Sequence, residues 1–277
     1  MVLIVKNIEE LRNKYRYSAI LLRQLVITDF KLRYKGSALG YIWSLLRPLA
    51  LFAVLYVVFV HFLKLGSALP HYAVTLLLGV VIWNYFTEVT MNGLSAVVGR
   101  GDLMRKLYFP RYVIVVAGSL SALINLAINL VVVGIFMIIN GVTLSWMAIL
   151  AIPLIVELFI LGLGVAFLLS ALYVKYRDIS YIWEVVLQAG FYATPILYPI
   201  STVIATSPFI AKLIMLNPVA QIVQDLRAVL IWSGNPTIGS MYGSALFYII
   251  PIGLALLLAV TAGIYFRKRS PGFAEEI

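Results

Sequence analysis

The 277-residue sequence contains no cysteine and only two histidines, His61 and His71. These absences exclude a disulfide framework, a thiol nucleophile and a thiolate or histidine-rich metal site. Charge is scarce as well: 12% of residues are charged, with 11 acidic against 21 Lys and Arg. No G-x-x-x-x-G-K-[ST] loop occurs, and no glycine-rich turn opens a helix after a strand. No nucleophile, base and orienting group form a plausible set. The chain therefore does not read as an enzyme, and any energy source must be an ion gradient or a separate chain.

What fills the sequence is apolar. Hydrophobic residues make up 63% and mean hydropathy is +1.02, more than one soluble core of this size could hide. The net charge of +10 could suggest a nucleic-acid binder. The basic residues flank apolar runs instead of forming a solvated stripe, so no nucleic-acid partner is expected. The first 47 residues are polar and basic, without a short apolar stretch and small-residue cleavage site, and no cleaved signal peptide is expected.

A spanning helix needs about 20 mostly apolar residues, and six candidates are present: 48–63, 72–91, 112–139, 144–174, 180–199 and 242–266. The first draws in residues 41–46 below it. The fourth contains Pro153 and should be tilted or kinked, and the fifth meets Pro195 and Pro199. With the N-terminus inside, 18 of the 21 Lys and Arg fall in the inner segments and 3 in the outer ones. That bias places both termini in the cytoplasm.

Residues 197–242 are neither a full span nor a plain loop. Pro195, Pro199, Pro208 and Pro218 cut them into short pieces, and 219–232 shows apolar residues at helical spacing around Gln221, Gln224, Asp225 and Arg227. Short apolar pieces at membrane depth survive only when buried in protein or lining an aqueous cavity. The reading is a re-entrant helical hairpin on the outer side; the alternative is a surface loop with an interfacial helix.

Ahead of the first span, Ile8, Leu11, Tyr15, Ala19, Leu22, Val26 and Phe30 recur at steps of three or four, with Arg12, Arg16 and Arg23 largely elsewhere. This predicts an amphipathic helix at the inner interface. It leads into a basic, aromatic elbow holding Lys31, Arg33, Tyr34, Lys35, Tyr41, Trp43 and Arg47, where Gly36 and Gly40 permit a tight turn. The loop between spans two and three is punctuated by Gly99, Gly101 and Pro110. Between them a short helix should form, with Asp102 near its start and Arg105 and Lys106 near its end, as the helix dipole prefers. Such a helix could dock into a partner; plain positive-inside charge would explain its basic residues but not the punctuation.

Ion-driven carriers place ionisable groups deep in their spans. Glu88 and Glu184 lie toward inner ends, and only Glu157 looks deep. It is read as an interhelical contact or a group facing water, with a proton site as the alternative.

Several motifs in order carry a resemblance: LRYKGSALGYIWSLLRP (32–48), LMRKLYFPR (103–111), YRD (176–178), ATPILYP (193–199) and LNP (216–218). Together they resemble the permease subunit of ABC exporters for polysaccharides and polyol phosphates, which carry O-antigen, capsule or teichoic-acid chains. The resemblance implies an all-α integral membrane protein of the cytoplasmic (inner) membrane. Residues 1–47 would form the interface helix and elbow, and 48–277 the six-helix domain. Two permeases would pair with two separate ATPase subunits that bind ATP and Mg. Contact with the ATPase would fall to Arg100, Asp102, Leu103, Met104, Arg105 and Lys106, to Lys175, Arg177 and Asp178, and to the N-terminal helix. A lipid-linked glycan would pass between the two permeases and leave past an outer gate containing Pro195, Pro199 and Pro208.

A glycan offers flat C–H faces and hydroxyls, which suit aromatic rings better than fixed charge. Phe52, Tyr56 and Phe59 share a face of span one, and Phe191 and Tyr192 lie on span five. These are the channel-lining candidates; Trp83, Tyr85 and Phe86 stand on span two, and packing against lipid or other helices is the alternative for each ring. Two other functions stay open: the same fold exporting drugs or small lipids, and a membrane-embedded glycolipid-modifying enzyme built on Glu88 and Glu184.

Overall fold

The computed structural model describes residues 18–29, 31, 40–64, 70–101 and 110–276. Among the described residues every regular element is helical. The elbow residues Arg33, Tyr34, Lys35 and Gly36, and Asp102, Leu103, Met104, Arg105 and Lys106 of the loop helix, lie outside the described residues.

Helix α1 covers residues 18–29. Helix α2, Trp43–Leu55, continues as a π-helical stretch, Tyr56–Phe62. Next come α3 (Tyr72–Ala96), α4 (Tyr112–Ile139) and α5 (Ala151–Lys175), the last entered through a 3-10 segment, Trp146–Leu150. Pro153 occupies the first turn of α5, where a missing N–H costs nothing. The expected irregularity of this span is therefore drawn to its N-terminal end.

The second half is more broken. It comprises α6 (Ile179–Ala193), α7 (Ile200–Thr206), α8 (Pro208–Met215), α9 (Pro218–Leu230), α10 (Ile238–Tyr242), α11 (Ile249–Arg269) and α12 (Phe273–Glu276). Prolines at the first helical position open α8 and α9. Ser207 accepts the Ile210 N–H and Asn217 the Val219 N–H as side-chain caps. Helices α8 and α9 meet at a bend of 97°.

Among the described residues five helices are long and apolar enough to cross a membrane, or six if the bent α8–α9 pair counts as one span. The expected span at 180–199 is shorter than the sequence suggested. Helix α6 has 15 residues, roughly 22 Å of rise against a hydrocarbon core of about 30 Å. Pro195 lacks the N–H that would continue the ladder, so the helix stops at Ala193.

Helix α3 is the hub. Over its membrane window 78% of residues are buried, against 11% for α2 and 17% for α11. It packs on α4 and α5, and α5 packs on α11. Small residues permit these approaches: a Cβ on Gly93 would fall 2.3 Å from the Ala166 Cβ, and one on Gly164 2.8 Å from the Ala259 Cα. Association of spanning helices rests on such close backbone packing, because lipid is as apolar as the helix faces.

Candidate functional site: a clamped chain break beside the bent helix pair

The break after α6 creates a chemical demand. Thr194 is extended, and Pro195, Ile196 and Leu197 follow outside any helix, so their carbonyls have no helical donors. Orphan carbonyls buried at membrane depth each cost free energy unless paired. Three side chains answer them. Arg227 of α9 donates from Nη1 to the Pro195 carbonyl at 2.7 Å and from Nη2 to the Ile196 carbonyl at 2.9 Å. Gln224, one turn earlier, donates to the Pro195 carbonyl at 3.1 Å. The Tyr72 hydroxyl, from the first turn of α3, donates to the Leu197 carbonyl.

Arg227 is 4% exposed, and its Nε also reaches the Thr75 carbonyl at 3.2 Å. A buried guanidinium is tolerable only with its donors engaged. Its fork here fastens α9, the broken segment and α3 into one unit. Gly79 supplies the room, since a Cβ there would lie 2.9 Å from Arg227 Nη2. Asn235 extends the network by donating to the Gln224 backbone carbonyl at 2.9 Å and side-chain oxygen at 3.0 Å. Pro195 and Pro199 bound the break, and Pro208 opens the next helix but one. Reading the sequence marks these prolines but misses the clamp; its only signal was an arginine among apolar residues and glutamines.

The aromatic candidates fall into two groups. Phe52 stands 5.7 Å from Tyr56 and makes an edge contact with Phe136 of α4 at 5.6 Å. Phe52 is thus buried against a neighbouring helix, while Phe59 is half-buried and Tyr56 more open. Phe191 contacts Tyr192 and, at 6.1 Å, Trp83 of α3, whose ring continues to Phe86 and Trp183. Trp183 donates to the Thr90 hydroxyl at 3.0 Å. Of these rings Tyr192 is the openly exposed one, at 62%. Tyr85 is buried in the hub.

At the other end of the bundle, Arg100 forms an ion pair with Asp29, joining α1 to the turn that follows α3. Gly40 has φ +52 with open space around it, so the backbone conformation, not crowding, favours glycine there. Trp43 begins α2 half exposed. Lys175, Arg177 and Asp178 are exposed between α5 and α6, and the two cations lie over the rings of Tyr176 and Tyr173 at 5.3 and 5.2 Å. The two carboxyls of the enzyme alternative have different surroundings. Glu88 accepts from Asn125 of α4 at 2.6 Å, while Glu184 is exposed on α6.

The chain matches the family model for the ABC-2 type transporter over residues 20–231. It is 30% identical over 268 residues to an O-antigen export system permease protein RfbA of Klebsiella pneumoniae, covering 96% of this chain and 98% of that one. A protein of the same name from Myxococcus xanthus is 27% identical over 266 residues with the same coverage. The matched residues include α2 to α5, the broken segment and all of α9 with Arg227. This multi-pass helical chain belongs to the ABC-2 type transporter family.

Proposed function

We propose that this chain is the membrane permease of an ABC exporter that moves a lipid-linked polysaccharide of the O-antigen type across the cytoplasmic membrane. The observation that carries this reading is similarity over nearly the full length to two permeases named for O-antigen export. Family membership implies a separate ATPase subunit. That subunit would bind ATP and Mg, since this sequence has no phosphate-binding loop. Two permeases and two ATPases would form the working unit, with the glycan path between the permeases.

Within that unit α1 lies along the inner interface, and both termini face the cytoplasm, as the Lys and Arg distribution supports. Residues 1–47 act as interface helix and elbow, and 48–277 as the transmembrane domain. Arg100 to Lys106, with Lys175, Arg177 and Asp178, receive the push of the ATPase. Helices α7 to α9 form a re-entrant outer element, and the break between Pro195 and Pro199 is its gate. Phe191 and Tyr192 beside that break, and Tyr56 and Phe59 on the π-helical stretch that continues α2, offer rings to sugar faces; the buried Phe52 backs them.

The test is export of glycan by cells carrying the permease together with its ATPase. Charge reversal at Arg105 and Lys106 should abolish export while the permease still folds and inserts. Substrate movement by the purified chain alone, driven by a proton gradient, would overturn the reading.

A further inference from the structure

Where α1, α3 and α4 meet, a cavity of about 360 Å³ opens beside the Arg100–Asp29 pair. Among the described residues its wall holds Asp29, Asn92, Arg100 and Ser121, with Gly99 and Gly118 making room. The size falls within the range of small-molecule sites, about 300–1,000 Å³. Two of its polar groups go unanswered by the chain. Arg100 donates from Nη2 to Asp29 Oδ1, but its Nη1 is buried without a hydrogen-bond partner. Ser121 Oγ is buried without one as well. Two residues earlier, Ser119 meets the same demand by donating to the Val115 carbonyl at 3.0 Å. Buried donors left unmade cost free energy, so two of them lining one cavity point to a ligand.

Depth and charge narrow the ligand. Arg100 follows the end of α3 at Ala96, and Ser121 lies nine residues beyond the start of α4 at Tyr112. At 1.5 Å per residue that is roughly 13 Å along α4, against about 5–8 Å for one headgroup layer. The charged pair is thus at headgroup level and Ser121 at the level of the glycerol and first acyl carbons. Asn92 stands between them beside Gly118, whose Cβ would lie 3.7 Å from the Asn92 Cβ. The guanidinium and carboxylate neutralise each other, so the cavity has no net charge to attract a simple anion. Arg100 Nη1 can donate to a phosphate oxygen, and a carboxylate has a second oxygen that can accept from an ammonium. A headgroup carrying both ions a few bonds apart answers both. A trimethylated ammonium has no N–H to give, and an anionic headgroup would bring like charge to Asp29.

We propose that this cavity binds the zwitterionic phosphoethanolamine headgroup of a membrane lipid, with its phosphate on Arg100, its ammonium on Asp29 and its glycerol ester on the Ser121 hydroxyl. A lipid held there fastens α1 to the neighbouring ends of α3 and α4. Binding is a property of the permease alone, whatever the transporter carries.

The experiment is native mass spectrometry of the full chain, delipidated in detergent. It is titrated with short-chain phosphatidylethanolamine, phosphatidylglycerol or phosphatidylcholine, or with soluble glycerophosphoethanolamine. One phosphatidylethanolamine should bind per chain, about tenfold or more tighter than each of the other three. Gly118→Leu fills the cavity with a better helix former and should abolish that preference. Asp29→Asn leaves Arg100 uncompensated and should turn the preference toward phosphatidylglycerol, a reversal that mere loosening of the fold would not produce. Equal binding of phosphatidylethanolamine and phosphatidylglycerol by the parent, or an unchanged preference in either variant, overturns the proposal. Glycerophosphoethanolamine binding as tightly as the lipid would assign the cavity to a ligand from water and overturn the lipid assignment. Should Gly118→Leu fail to fold, Asp29→Asn, which alters a part-exposed pair, decides alone.

Discussion

Arg227 and Arg100 stand near opposite ends of α3 and are handled in opposite ways. Arg227 is buried, and its partners are backbone carbonyls freed by a proline break. Arg100 is a quarter exposed and pairs with a carboxylate, Asp29, on a helix of another segment. The first arginine repairs backbone and is integral to the fold. The second joins two surface elements in reach of water, where an ion pair adds little stability but can fix a geometry. The contrast separates two uses of charge: the cation hidden at the break ties α9 to α3 and to residues 195–196, while Arg100 joins α1 to the turn after α3.

The strongest way to break this comparison is to remove the guanidinium. Arg227→Met should lower unfolding free energy by roughly 3 kcal/mol, because the buried Ile196 carbonyl is orphaned at about 1–3 kcal/mol and the Pro195 carbonyl keeps Gln224 but loses its charge-assisted bond. Thermal unfolding in detergent would read it, and Arg227→Lys should fall between, since a single ammonium cannot span the same fork. A Met variant as stable as the parent would remove the clamp from the account.

Next in size is the packing beside it. Gly93→Val should cost about 1–3 kcal/mol by overpacking, because even its Cβ would meet Ala166 at 2.3 Å. Pairing it with Ala166→Gly should recover part of the loss, and an unchanged deficit in the double variant would mean that α3 and α5 are not in this contact. The smallest effect belongs to Arg100→Ala or Asp29→Ala, expected at about 0–1 kcal/mol each. A double-mutant cycle with a coupling well above that range would show that the exposed pair is as structural as the buried one.

The spanning helices were largely legible because long apolar runs and flanking Lys and Arg are local features. The prolines at 195, 199, 208 and 218 marked the broken stretch for the same reason. The true end of α6 was hidden, since the apolar run continues through Ile196 and Leu197 although Pro195 stops the ladder. The clamp was illegible for a different reason. It joins Tyr72 and Thr75 to residues 195–197 and to Arg227, far apart in sequence, and its acceptors are main-chain atoms that every residue type possesses. The burial of Phe52 against Phe136 was likewise a matter of which helix lies next to α2.

The hub position of α3 has a consequence for how the protein is made. It is the least hydropathic of the five long helices, yet the one most enclosed by protein. Emerging from the ribosome, it meets lipid before α5, the helix that shelters it, has been synthesised. Until then Thr75 and Thr90 bond only to carbonyls of α3 itself, and Glu88 waits for Asn125 of α4. Helix α3 thus stays half-enclosed from the end of its own synthesis at Ala96 until α5, Ala151–Lys175, has followed it.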